Sequence, residues 1–251
     1  MTTAAALIIG DELLAGRVED ANTPLLARCL SRVGVRLRRV IVLPDEEEII
    51  ARETAAMAGC MDWVVTSGGL GPTHDDRTVA AVARAFAVPV VRSRELERMI
   101  RALWGSRFTE GALRMADIPN GARLLYGNDG LLPLVAFRNV YLFPGIPALF
   151  RAKLATLERE LHGTPTLTAV LDLSGDESAL APCLARVAAA HPAVKIGSYP
   201  RVGSGDCSLQ ITLEGEDRRA VEAALRDLRS RIPPEQVLSV ELPPGAGSRS
   251  G

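Results

Sequence analysis

Two groups that normally avoid each other share one stretch of this chain, TSGGLGPTHDDRT, Thr66 to Thr78. Gly68, Gly69 and Gly71 are small enough to let backbone N–H groups approach phosphate oxygens, and a following helix adds a favourable dipole. Asp75 and Asp76 would repel the same phosphate. A hard divalent cation removes the conflict, because magnesium-type ions take oxygen ligands and bridge one or two carboxylates to a phosphate. Asp45 in PDEE, and Asp11 with Glu12 in GDE, sit at equivalent strand ends. These five carboxylates exceed what helix capping needs and suggest metal-assisted phosphoryl chemistry. Glu46, Glu47 and Glu48 read as a solvated acidic face.

The same residues have plainer readings. The glycines suit a tight strand-to-helix turn that requires positive φ, and Asp75 or Asp76 can cap the next helix. The loop is not a Walker sequence, since no Gly-Lys-Ser/Thr follows, and His74 stands where a Rossmann fingerprint needs its third glycine. His74 is a hydrogen-bonding or spacing residue, or a catalyst. Arg77 and Arg114 either reach a pyrophosphate or lie on exposed helix faces. Tyr199 either stacks on a flat ring or packs in a core.

The elements that would position these groups alternate. Ala4 to Ile9 is an apolar strand, followed by a loop and a helix capped by Asn22 or Thr23, with Pro24 in its first turn and Gly34 beyond its end. VRLRRVIVL is a second strand, stopped by Pro44. DEEEIIARETAAMAG is a second helix, with capping-box-like spacing between Asp45 and Glu48. DWVVTS is a third strand and TVAAVARAFA a third helix. Val88 to Gly130 holds a short strand, a helix over Ser93 to Leu103 and an irregular segment. NVYLF and ALFRAKLATLERELHG close the unit as strand and helix. Near-continuous apolar strands alternating with helices predict an α/β fold, a largely parallel sheet covered on both faces, with ligands beyond the carboxyl ends of the strands.

From 164 to 241 the order becomes strand, helix, strand, strand, helix, strand, the split βαβ, ferredoxin-like α+β arrangement. The expected division is 1–163, 164–241 and a disordered tail over 242–251.

Composition narrows the partners. The chain has 251 residues, 24% of them charged, with formal net charge -1 and only 4% aromatic residues. No basic run is present, which argues against a nucleic-acid surface. Cys29, Cys60, Cys183 and Cys207 are scattered without metal-ligand spacing and read as free thiols. No signal peptide is visible, and no apolar run approaches the roughly 18 residues of a membrane span. A cytoplasmic protein without a membrane partner is expected.

GDELLAGRVEDAN, PDEE, TSGGLGPTHDDRT and FPGIP occur here in that order, and IGSYP follows in the second unit. Together they resemble the molybdopterin-binding (MoaB/Mog-like) superfamily. The nearer likeness is to the N-terminal domain of competence/damage-inducible protein A, and nearest to the molybdopterin-binding-like domain of FAD synthases. The resemblance runs from about Leu7 to Val240.

That resemblance implies a three-layer MoaB/Mog fold with the smaller second domain. It implies a nucleotide or pterin ligand and a homo-oligomer, dimer or trimer. It also implies a divalent metal (magnesium, manganese or cobalt), with potassium as a further ion. Matched motif by motif, Asp45 and Asp76 are the catalytic and metal-holding carboxylates, with Asp11 as a further metal ligand. Gly10, Asp11, Glu12, Asn22, Ser67, Gly68, Gly69, Gly71, Thr73, Gly145 and Pro147 bind substrate or its phosphates. The expected activity is hydrolysis of a dinucleotide-type pyrophosphate, FAD or ADP-ribose, with release of AMP. Molybdopterin adenylylation and a non-catalytic nucleotide-binding module are the alternatives. The third is suggested by Leu149, which stands where the competence-protein members have a glutamate. The chain ends before any FAD-synthesising or deamidase domain, so those activities are expected to be absent.

Overall fold

The computed structural model describes residues 2–164, 166–201 and 208–242. Residues 202–207 and the tail from 243 to 251 lie outside the described residues. The chain divides into two compact units, 1–164 and 165–251.

In the first unit, β1 (Thr2–Ile9), β2 (Val35–Leu43), β3 (Trp63–Ser67) and three later strands form a six-stranded sheet. Those three are β6 (Arg123–Leu125), β7 (Leu134–Phe137) and β8 (Val140–Phe143), and the order is β2-β1-β3-β8-β7-β6. The first four in this order are parallel to one another, and β7 runs antiparallel to both β8 and β6. β4 (Val90–Arg92) and β5 (Asp117–Pro119) form a separate antiparallel pair.

Side chains on β1 alternate between two cores. Ala4, Ala6 and Ile8 pack with Leu26, Leu30, Phe150 and Leu157, from α2 (Asn22–Arg32) and α6 (Pro147–Glu160). Ala5, Leu7 and Ile9 pack with Ile50, Met57, Ala81 and Val82, from α3 (Glu47–Cys60) and α4 (Thr78–Ala85). Burial on both faces is why β1 reads as an unbroken apolar run rather than an alternating one. The result is three layers, helices on each side of the sheet. A third cluster in this unit joins Leu96 and Ile100 of α5 (Arg94–Trp104) to Ala112 and Ala116.

Two local expectations are corrected. The first loop is not wholly irregular, because Asp11–Leu14 forms one helical turn, α1. LVAF before the NVYLF strand is itself a strand, β7, turned back at Arg138, whose φ is 51°.

In the second unit, β9 (Leu167–Leu173), α7 (Glu177–Ala190), β10 (Lys195–Pro200), β11 (Leu209–Gly215), α8 (Arg218–Ser230) and β12 (Val237–Glu241) follow in that order. The sheet order β10-β11-β9-β12 is antiparallel throughout, as in a split βαβ domain. Leu171, Leu173, Ile211 and Leu213 face Val187 of α7 and Leu225 and Leu228 of α8 in a core of its own. Among the described residues no helix is long and apolar enough to cross a membrane.

Candidate functional site

A crevice of about 890 Å³ opens beyond the carboxyl ends of β1, β3 and β8. Every residue assigned to substrate, phosphate or metal from the sequence lines it, with one exception, Asp11. The side chain of Asp11 instead faces the Asp45 backbone amide at 3.4 Å, and the Asp11 amide donates to Asp45 Oδ2 at 2.9 Å. The two loops are thereby tied to each other.

Asn22 does not cap α2, and neither does Thr23. Asp20 takes that role, accepting from the amides of Asn22 at 2.9 Å and Thr23 at 3.0 Å. The Asn22 side chain is released to join two other loops: Nδ2 donates to Ser67 Oγ at 2.9 Å and to the Gly145 carbonyl at 2.7 Å. Gly145 O can only accept, so the amide orientation is fixed. Asn22 is 5% exposed, and its Oδ1 has no partner among the described residues. A buried acceptor left open beside a crevice is a place for a ligand donor.

The glycine loop is shaped by close approach. Gly68 has φ 102°, and a Cβ there would lie 2.2 Å from the Ile9 carbonyl oxygen. A Cβ on Gly145 would meet Gly68 Cα at 3.2 Å. The Gly68 amide donates to Phe143 O at 3.1 Å and the Gly71 amide to Asp76 Oδ1 at 2.7 Å. The amides of Gly69 and Leu70 have no hydrogen-bond partner among the described residues. The anion-facing part of Ser67 to Gly71 therefore narrows to those two.

The two neighbouring aspartates divide. Asp76 is occupied within its own loop, accepting from Gly71 N, from Thr73 N at 2.8 Å and from Thr73 Oγ1 at 2.5 Å. Asp75 is exposed, and the Thr73 hydroxyl, its own amide and the His74 and Arg77 charges hold its carboxyl below the ordinary value. Asp45 is half-buried and does not serve as the capping residue of α3. Burial, and the charges of Asp11, Glu12 and Asp75, push its carboxyl above the ordinary value despite the Asp11 amide. Glu47 and Glu48, read as a solvated face, pair with Arg84 at 3.6 Å each.

His74 is almost fully exposed, and neither Arg77 nor Arg114 lines the crevice. Tyr199 belongs to the second unit and is 48% exposed, so it is not a core residue. Lys153, which the sequence reading missed, is the one basic side chain lining the crevice among the described residues. It lies within the polar-looking run FRAKLATLERE, where a lysine reads as solvent-facing.

The charge balance bears on a metal. Glu12, Asp45 and Asp75 put their charges together at the strand ends, and the bases beside them, His74 and Arg77, act on Asp75. Among the described residues no three carboxylates, histidines or cysteines form a ready-made cage. The donor set is all oxygen, which fits a hard divalent cation whose shell is completed by water and phosphate.

Residues 5–190 match the model of a family described as a probable molybdopterin binding domain, and 165–241 match that of the FAD synthase middle domain. A protein of Archaeoglobus fulgidus is 29% identical, covering 89% of this chain and 95% of its own length. A probable FAD synthase of Caenorhabditis elegans is 32% identical over 92% of this chain and 50% of its own, so the chain spans about half of that relative. Among solved structures, the protein CinA of Thermoplasma acidophilum, of unknown function, is 30% identical with a TM-score of 0.58. That match covers 63% of this chain and 97% of that one.

Proposed function

This chain belongs to the molybdopterin-binding domain family, and from that premise we propose that it is a metal-dependent nucleotide pyrophosphatase. It cleaves a dinucleotide-type pyrophosphate, FAD or ADP-ribose, and releases AMP. The observation that carries the reading is the pairing of two unbonded loop amides, Gly69 and Leu70, with Asp45, a half-buried carboxylate raised by burial and by its acidic neighbours.

The pyrophosphate lies against the Gly69 and Leu70 amides, which stabilise charge developing on a phosphoryl oxygen. Asp45 would hold the cation, with water and phosphate completing its shell, and the charges of Glu12 and Asp75 would favour it from nearby. When bound, such an ion polarises a phosphoryl oxygen and lowers the pKa of water. Asp76 keeps the loop in shape through Gly71 and Thr73. Asn22 locks the Ser67 and Gly145 loops together and offers Oδ1 to a hydroxyl or N–H of the ligand. No histidine or cysteine nucleophile enters this scheme.

A second reading, binding without turnover, is favoured by Leu149, which lines the crevice at the position where the competence-protein members have a glutamate. Purified protein incubated with FAD, ADP-ribose or NAD and magnesium, manganese or cobalt separates the two. AMP release supports the hydrolase, and tight binding without AMP supports the binding module. No AMP from any of these pairs overturns the hydrolytic reading.

A further inference from the structure

One charged pair beside the crevice has no task in the hydrolytic scheme. Lys153 lies one turn after Leu149 on α6, and both line the crevice. The Lys153 side chain is 6% exposed, and Nζ donates to Asp129 Oδ2 at 2.7 Å. That is its one hydrogen bond among the described residues. An ammonium has three donors, so two remain open in a place shielded from bulk water. Asp129 is better satisfied, with Oδ1 accepting from Leu131 N at 3.0 Å. Burial raises its carboxyl, but the Lys153 and Leu131 bonds outweigh that and hold it below the ordinary value. A buried pair of this kind is no more stable than well-packed apolar side chains of the same volume, so stability alone does not account for it.

Leu96, Leu103, Trp104, Leu131, Leu132 and Leu149 line the same crevice as Lys153 and give it an apolar part distinct from the glycine loop. Apolar walls with a single donor group suit a flat ring, whose faces are apolar and whose edge carries a carbonyl or ring nitrogen. We propose that Lys153 reads the acceptor edge of a planar heterocycle held in this apolar half, and so selects dinucleotides whose second end is such a ring. This rests on the pyrophosphate reading of the glycine loop, which sets the other end of the ligand.

The test is equilibrium binding of FAD, ADP-ribose and AMP, by calorimetry, to the wild type and to Lys153→Met and Asp129→Asn. Lys153→Met should weaken FAD by 10-fold or more and change ADP-ribose and AMP by less than 2-fold, each by the tenfold-per-1.4 kcal/mol rule. Asp129→Asn, which leaves the ammonium in place, should keep FAD near the wild-type affinity. If Asp129→Asn copies Lys153→Met, the pair only holds the 129–131 turn and the proposal is wrong. An equal loss for all three ligands, or no loss for FAD, also overturns it. AMP reports on the glycine-loop end alone: if the wild type binds no AMP, the pyrophosphate reading fails and takes this inference with it. Where Lys153→Met does not fold, Lys153→Gln gives the same comparison with part of the donor retained.

Discussion

Helices that start at the crevice and helices that start elsewhere are built differently. α5, α7 and α8 begin with side-chain caps. Ser93 accepts from Leu96 N, Asp176 from Ser178 N and Ala179 N, and Asp217 from Arg219 N. At the crevice, α2 keeps one from Asp20, but α3, α4 and α6 have no such bond. Polar side chains near these helix starts serve other segments instead. Asp45 accepts from Asp11, Asp76 from Gly71 and Thr73, and Asn22 links Ser67 to Gly145. Away from the site, local stability is taken where it is offered. At the site it is set aside to hold four loops in one arrangement, the usual mark of a preorganised ligand site.

Breaking the loop arrangement should have the largest effect. Gly68→Ala forces a Cβ to within 2.2 Å of Ile9 O at φ 102°. Ligand binding should be lost, with a stability cost of at least about 1–3 kcal/mol in thermal or denaturant unfolding. Asp45→Asn keeps the acceptor for the Asp11 amide but removes the crowded charge. AMP release should fall by about 100-fold or more, while the melting temperature at neutral pH rises. A fall in both would mean that Asp45 is structural. Asp217→Ala should do the reverse, costing about 1 kcal/mol of stability and leaving ligand affinity unchanged.

The smallest effect is a pH dependence of opposite sign in the two units. Asp45 is raised, so the folded state keeps its proton to higher pH than the unfolded chain. Its contribution to stability therefore declines as pH climbs from below 3.8 through its folded value. Asp176 is lowered, chiefly by the Ser178 hydroxyl, so its contribution is present above 3.8 and is lost as pH falls through its folded value. Melting curves across the acid range should show the Asp45→Asn gain growing with pH and the Asp176→Asn deficit growing over the same climb. Parallel trends would remove the contrast.

How much of this could be read from the chain follows the same division. The parallel strands are legible because burial on both faces leaves unbroken apolar runs such as AAALII and VVTS. The β7–β8 hairpin is not, because Arg138 takes positive φ where an Asn-Gly pair would have announced the turn. The glycines and acids of the site are visible by type. Their partners are not, since Asn22 bonds across 45 and 123 positions and Asp45 across 34, while capping rules look only three residues ahead. Lys153 is hidden for a similar reason. Its partner Asp129 is 24 positions away, and the run around it looks like an ordinary surface helix.

On this account the crowded carboxylates accept a pyrophosphate only together with a cation. Calorimetric titration of ADP-ribose into the protein, with magnesium or manganese and then with a chelator, tests it directly. Binding that needs the divalent ion, and that loses this dependence in Asp45→Asn, is the predicted result. Equal affinity in chelator and in metal would contradict it.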